Sequence, residues 1–170
     1  SAEKRDEVLR AYFSPEGAHY SLTRTHIASC DFSVKHYSYA PVPDDVALEH
    51  FTIEPDRNYL LPMIKDAQKV EGAGFKVLSS PWTAPPWMKD NGWWHGGELK
   101  PEHYSTFADY IVRYLKAYEA EGIPVWGITP ENEPLGNGGN WESLHFNAEQ
   151  MRMFIADHLG PALAASGLDT

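Results

Sequence analysis

Apolar residues recur along the chain at two alternating spacings, one typical of amphipathic helices and the other of buried strands. Helical spacing covers residues 2–13, about 59–71, 101–121 and 147 onwards. Runs rich in β-branched and apolar residues predict strands at 20–29, 75–80 and 124–129. The strands begin roughly 50 residues apart, and a long loop and a helix follow each one. This rhythm predicts βα units and therefore a parallel sheet.

Capping and breaking residues set the expected ends of these helices. Pro62 is tolerated only in the first turn of the second helix, because it has no N–H to donate. Gly122 ends the third helix, as glycine commonly does. Asn147 followed by Gln150 predicts a capping box at the start of the last helix.

The unusual residues of the chain lie in the loops that follow the three predicted strands. In parallel sheets these loops carry the ligand site, in barrels and in open sheets alike. They contain Cys30–Asp31, the tryptophans Trp82, Trp87, Trp93 and Trp94, and the segment TPENEP at 129–134. The site is therefore expected at the carboxyl end of the sheet.

Charge and composition exclude several classes of protein. The net charge of −10, with no basic cluster, argues against nucleic acid or an anionic membrane as a partner. No apolar run approaches the ~20 residues of a transmembrane segment. Cys30 is the single cysteine, so no internal disulfide forms, and the histidines show no metal-ligand spacing. The charged start of the chain is not a secretory signal.

TPENEP places two carboxylates beside an amide at a strand end. Residues two apart on an extended strand point the same way, so Asn132 is expected to face opposite Glu131 and Glu133 unless a bulge or turn interrupts the strand. Pro134 favours an extended backbone at Glu133. A carboxyl partly desolvated by aromatic walls has a raised pKa and serves as a general acid near neutral pH. On residue types alone, an acidic surface turn remains the alternative.

Four further residues are interpreted as functional, as structural, or as either. Trp82 lies just past a strand end and is a candidate wall for a sugar ring, whereas Trp87 is interpreted as a loop anchor. Asp31 could accept hydrogen bonds from sugar hydroxyls, or could cap a loop. Arg24 lies inside a strand, where an unpaired charge is expensive, so it is expected to meet a carboxylate.

Three motifs carry a family resemblance in their order and spacing. RTHIASCDFS (24–33), LSSPWTAPPWMKDNG (78–92) and TPENEP (129–134) resemble glycoside hydrolase family 30, from about Tyr12 to Gly160. This is the family of glucosylceramidases, bacterial β-1,6-glucanases and related β-glycosidases. The resemblance implies an α/β fold that is a partial (β/α)8 TIM barrel, with about strands 2–4 and their helices. Residues 1–170 are then expected to be a fragment of a single glycosidase catalytic barrel domain.

The resemblance also implies retaining hydrolysis, in which one carboxyl protonates the leaving oxygen and a second attacks the anomeric carbon. By position, Glu133 matches the acid/base, and Asn132 matches the amide that holds the sugar 2-hydroxyl. Asp31 and Trp82 match residues that grip the sugar, and Arg24 matches the arginine beside the nucleophile. Glu131 has no catalytic counterpart and is interpreted as a support or surface residue.

The nucleophile of the family lies on a later strand than the acid/base, so it is not expected within this chain. Residues 1–170 alone are therefore expected to be inactive. They are also expected to need the rest of the barrel or self-association, because strand edges and apolar helix faces are left uncovered. The alternative is a carbohydrate-binding, catalytically dead module that keeps Trp82 and Asp31 for sugar contact.

The expected substrate is a β-glucoside or β-glucan, with glucosylceramide also admitted by the resemblance. The SCDFS motif resembles the glucose-specific branch of the family more than its xylan-cleaving members. No metal or cofactor is implied, because a mechanism with two carboxylates uses none. Localisation stays open, and a secreted or periplasmic parent protein is compatible with a polysaccharide substrate.

Overall fold

A computed structural model describes residues 1–136 and 139–170 of the chain. Its helices and strands are α1 (Ala2–Phe13), β1 (Leu22–Ile27), α2 (Leu60–Gln68), β2 (Lys76–Pro81), α3 (Tyr104–Ala120), β3 (Val125–Ile128), α4 (Ala148–Met153) and α5 (Gly160–Ser166). Short 3₁₀ turns lie at Glu54–Asn58, Pro86–Met88 and Pro101–His103. The predicted helices and strands are thus present in the predicted order.

The three strands form one parallel sheet in the order β1-β2-β3. Ile27 at the end of β1 lies opposite Pro81 at the end of β2, so the loops after these strands leave from the same edge. The register between β2 and β3 shifts between Val77 and Leu78. The prediction of a parallel sheet made of βα units is confirmed.

The helix ends follow the local chemistry of the sequence. Asn147 and Gln150 form the predicted capping box, with reciprocal hydrogen bonds of 2.8 and 2.9 Å. Pro62 lies in the first turn of α2, and Gly122 follows α3 with a φ of 78°. A π-helical turn at Phe154–Leu159 joins α4 to α5, just before Pro161, which has no N–H to continue an α-helical ladder.

The long loop after β1 is tied to the core by the buried carboxylate of Asp56. Tyr37 and Tyr118 each donate a hydrogen bond of 2.7 Å to this carboxylate, and Tyr39 donates a third. The ring of Tyr39 also stacks on that of Tyr114 on α3. These donors satisfy a charge that would otherwise be expensive to bury. The loop is therefore held in one place against α3 and can position side chains.

No helix in the described part of the chain is both long and apolar enough to cross a membrane.

Candidate active site

The segment after β3 closes onto the end of β2. The backbone N–H of Thr129 donates to Ser79 O at 3.0 Å, and that of Asn132 donates to Pro81 O at 2.8 Å. Trp82 directly follows Pro81, so this pairing places TPENEP beside the tryptophan. The predicted site residues of two different loops thus meet at the carboxyl edge of the sheet.

Arg24, Trp82 and Asn132 form one contiguous group at this edge. The Arg24 Nη2 donates to Asn132 Oδ1 at 2.7 Å, and its Nε donates to Ser80 Oγ at 2.9 Å. The guanidinium carbon lies 4.8 Å from the centre of the Trp82 ring, over its face. Because the arginine occupies the amide oxygen of Asn132, the amide NH₂ is left as the donor toward a ligand.

Among residues 1–136 and 139–170, Arg24 makes no ion pair, so the prediction that it meets a carboxylate of the barrel stays a prediction. Its partners are an amide, a hydroxyl and an indole. Arg24 is exposed in this structure, so the penalty for burying an unpaired charge does not arise. The arginine orients Asn132 and packs on one face of the Trp82 ring.

The backbone of TPENEP turns where the sequence predicted an extended strand end. Glu133 has a φ of 52° and is exposed, whereas Glu131 and Asn132 are buried at 6% and 9% exposure. Gly136 N donates to Glu133 O at 3.1 Å and closes the turn. The predicted alternation of side chains is therefore wrong, as is the extended backbone expected from Pro134. The turn separates the two acids, with Glu133 toward solvent and Glu131 inside.

Glu131 is a buried support residue, and its interpretation as a surface residue is wrong. Neither carboxyl oxygen has a hydrogen-bond partner among the described residues. Burial raises the pKa of Glu131 well above its usual range, and the nearby charge of Lys89 opposes that rise.

Lys89 is a buried cation that sequence reasoning missed, with 1% exposure. Its ammonium donates to Thr83 Oγ1 at 2.8 Å, to Ser143 O at 2.9 Å and to Trp94 O at 3.2 Å. Burial lowers the pKa of Lys89 to about 8, and the charge of Glu131 opposes this. The lysine joins the loop after β2 to the loop after β3. No periodicity in that aromatic and proline-rich loop distinguishes it from a surface lysine.

Asp31 lies exposed on a tight turn after β1. Ser33 N donates to Cys30 O at 2.9 Å, and Cys30 N donates to Ser33 Oγ at 3.0 Å, which fixes the turn. Ala28, which precedes it, has a φ of 62°, a backbone conformation that is uncommon for a residue other than glycine. The carboxylate of Asp31 is therefore accessible on a constrained piece of backbone.

The four loop tryptophans have different surroundings. Trp87 donates from Nε1 to Ala40 O at 3.0 Å and anchors the long loop after β1. Trp93 is 55% exposed and lies at the rim. Trp94 stacks on His36 with the ring planes 15° apart. Trp82 is half-buried and remains the tryptophan that faces the predicted site.

The structure also gathers a cluster that the spacing of the histidines did not predict. His36, His95 and Glu142 come from the loops after β1, β2 and β3, and one potential ligand atom of each lies within 4.8 Å of the others. Residues so distant in sequence meet because their loops leave the same edge of the sheet.

Comparison with known proteins places this architecture in a class and then in a family. A parallel βα sheet whose carboxyl-terminal loops hold carboxyl groups, an amide and an indole is typical of a TIM-barrel enzyme. The family model described as the glycosyl hydrolase family 30 TIM-barrel domain matches residues 1–169. The chain belongs to this family.

Individual relatives agree with the family assignment. The chain is 41% identical to lysosomal acid glucosylceramidase of Mus musculus, over 95% of this chain and 33% of the relative. It is 32% identical to the endo-1,6-beta-D-glucanase of Neurospora crassa, over 98% of this chain and 36% of the relative. It therefore spans about a third of the length of these curated relatives.

Solved structures show the same fold. SrfJ from Salmonella typhimurium superposes with a TM-score of 0.92 at 34% identity, covering 99% of this chain and 38% of SrfJ. A solved endo-beta1,6-glucanase superposes with a TM-score of 0.91 at 34% identity, covering 100% of this chain and 39% of the glucanase. The three strands described here thus form part of a TIM-barrel domain, as the sequence predicted.

Proposed function

We propose that residues 1–170 carry the acid/base part of the catalytic barrel of a retaining β-glycosidase, with Glu133 as the proton donor. The observation that supports this most is the bond from Arg24 to Asn132 Oδ1, because it turns the amide NH₂ into a donor beside Glu133. Glu133 itself is exposed at the carboxyl edge of the sheet, where a leaving oxygen can reach it.

In the proposed mechanism, Glu133 gives its proton to the glycosidic oxygen as the bond to the anomeric carbon breaks. A second carboxylate attacks that carbon from the opposite face and forms a glycosyl-enzyme. Glu133 then removes a proton from water, which hydrolyses the intermediate. Asn132 donates to the sugar 2-hydroxyl, where hydrogen bonds strengthen in the transition state.

The proposed sugar-binding residues are Asp31, Trp82, Asn132 and Arg24. Asp31 accepts hydrogen bonds from sugar hydroxyls, while Trp82 presents an indole face to the ring. Arg24 acts on the sugar mainly through Asn132 and Trp82, which it contacts directly. The proposed substrate is a β-glucoside or β-glucan, or a β-glucosylated lipid such as glucosylceramide. The names of the mouse and Neurospora relatives support glucose in the innermost subsite.

We expect sugar binding to depend on Trp82. A sugar face of about 60 Å² buried on an indole contributes about 1.5 kcal/mol, so Trp82→Ala should raise the Kd of a glucose-like iminosugar about tenfold. Isothermal titration calorimetry on the product of the full open reading frame containing residues 1–170 measures this. Trp126→Ala is the matched control, because Trp126 is also half-exposed but contacts Lys76 near the amino ends of the strands. Equal Kd values for both variants and the wild type would contradict the proposal.

The 170-residue chain by itself is expected to release no 4-nitrophenol from an aryl β-glucoside. The proposed nucleophile lies outside these residues, and the buried Glu142 is held by His36 at 2.6 Å. The free edges of β1 and β3 are expected to make this segment associate, which light scattering detects. Robust turnover that Glu133→Gln abolishes, or a monodisperse monomer, would contradict these two expectations respectively.

The competing function is that of a catalytically dead, carbohydrate-binding module. Binding and hydrolysis assays on the product of the full open reading frame distinguish the two functions. If that product binds the iminosugar through Trp82 but hydrolyses no aryl glycoside, the protein only binds carbohydrate. Turnover together with binding supports the glycosidase.

A further inference from the structure

The loops after β1, β2 and β3 also bring together two imidazoles and one carboxyl group, none of which is a proposed sugar-binding residue. His36 Nδ1 lies 2.6 Å from Glu142 Oε1. The rings of His36 and His95 meet edge to face with their centres 5.2 Å apart. One candidate ligand atom from each of the three residues lies within 4.8 Å of the other two.

One nitrogen in this cluster has no protein partner. His95 Nε2 is buried and makes no hydrogen bond to any described residue. A buried imidazole nitrogen is normally satisfied, since leaving a polar atom unpaired costs about 1–3 kcal/mol. Beside it, Glu142 is 3% exposed and has His36 as its side-chain partner. The group therefore combines an imidazole nitrogen that has no hydrogen-bond partner with a buried carboxyl group.

From this arrangement we infer that His36, His95 and Glu142 form a binding site for a divalent transition-metal ion, with Zn²⁺ as the best match. Two imidazoles and a carboxylate are a ligand set that zinc accepts, with a fourth position left for water. A tetrahedral zinc with bonds of about 2.0–2.1 Å needs its ligands about 3.3 Å apart. The widest separation among the three ligand atoms therefore has to shorten by at most about 1.5 Å, and the 2.6 Å between His36 Nδ1 and Glu142 Oε1 has to lengthen by about 0.7 Å.

The surroundings of the cluster favour a defined site over a chance meeting of side chains. His95 and Glu142 are paired by a backbone bridge between their loops, and Ser143 N donates to Trp94 O at 3.2 Å. The ring of His36 is stacked on Trp94, which limits its rotation. His36 is 39% exposed, so an ion has a path from solvent. These contacts orient the ligands, as the groups around metal sites generally do.

The role of the ion follows from the position of its ligands. Each comes from a different loop at the edge that holds Asp31, Trp82 and Glu133, so the metal cross-links the three loops. The ion takes no part in the two-carboxylate chemistry, and it acts by fixing the positions of the three loops relative to one another. The site stands whether or not the proposed glycosidase activity is correct.

The test is zinc binding by the metal-free product of the full open reading frame, measured by competition with a chromophoric chelator. We expect one site whose Kd increases at least tenfold in Glu142→Gln and in His95→Gln, because each removes one ligand. His50→Gln is the matched control: His50 also pairs with a carboxylate, Asp45 at 3.3 Å, but lies outside the cluster. Saturating zinc should raise the Tm of the wild type and of His50→Gln by several degrees, and that of the two ligand variants much less.

X-ray absorption of the zinc-loaded wild type gives a second measurement that needs no variant. It should show two imidazole ligands with oxygen completing the shell. Three results would overturn the assignment: binding of less than one equivalent of zinc, an unchanged Kd in both ligand variants, or a zinc coordination shell without imidazole. The cluster would then be a hydrogen-bonded His36–Glu142 pair alone.

Discussion

Glu133→Gln should lower kcat/KM by about 10²- to 10⁴-fold for glycosides with poor leaving groups, because glutamine has no proton to give the departing oxygen. The loss should be far smaller for a 2,4-dinitrophenyl glycoside, whose leaving group departs without protonation. Added azide should restore turnover and yield a glycosyl azide, since an anion attacks the intermediate without a general base. The measurement is steady-state kinetics on the product of the full open reading frame that contains residues 1–170.

Glu131→Gln is the matched control, two residues away in the same turn. Glu131 has the raised pKa that a general acid often shows, yet it is buried, whereas Glu133 is exposed at the edge of the sheet. The Glu131 variant should keep the leaving-group dependence of the wild type and should not respond to azide. Azide rescue in Glu131→Gln but not in Glu133→Gln would reverse the assignment of the acid.

Lys89→Met should lower the free energy of unfolding by about 1–3 kcal/mol, the cost of leaving buried polar groups without a hydrogen-bond partner. The substitution keeps the apolar stem but leaves Thr83 Oγ1 and the carbonyls of Trp94 and Ser143 without the ammonium donor. Urea unfolding followed by tryptophan fluorescence measures the change. Lys116→Met on the exposed face of α3 is the control and should change stability by less than about 0.5 kcal/mol. A loss no larger than that of the control would mean that Lys89 is not structurally important.

The pH dependence of Glu131→Gln tests the buried carboxyl group whose pKa the charge of Lys89 lowers. The folded-state pKa of Glu131 is raised above 4.5, its value in an unfolded chain, so the native state holds this proton more tightly. The bound proton makes its full contribution to the stability of the wild type below pH 4.5, and this contribution is lost as the pH rises toward the folded-state pKa of Glu131. The variant has no such proton. Its stability relative to the wild type should therefore increase as the pH is raised from 4.5 to 6.5, by at most about 1.4 kcal/mol per pH unit.

Lys89 does not obscure this comparison, because its folded-state pKa of about 8 leaves it protonated throughout that window. A stability difference between Glu131→Gln and wild type that stays constant from pH 4.5 to 6.5 would show that the carboxyl of Glu131 is not perturbed. A difference that falls with pH would mean that Glu131 is held as a carboxylate by Lys89.

Much of this protein follows from local sequence chemistry. The βα rhythm, the capping box of Asn147 and Gln150, and the breaks at Pro62 and Gly122 depend on neighbouring residues, so short windows suffice to predict them. The placement of Trp82 and Asn132 at one edge follows as well, since parallel strands bring the loops after their carboxyl ends together.

Other features depend on contacts between residues far apart in sequence, and only the tertiary structure decides them. Arg24 meets Asn132 across 108 positions, and His36 meets Glu142 across 106. The turn at Glu133 overrides the preference of a residue before proline, because its ends are held by β2 and by the following loop.

Sequence by itself thus determined the family, the order of helices and strands, and the edge of the sheet at which the site lies. The tertiary structure decided which acid of TPENEP is buried, which cation lies close to it, and which histidines meet. The physical reason is that helix and strand patterns are set by local spacing. Burial and charge pairing, by contrast, are properties of the assembled loops.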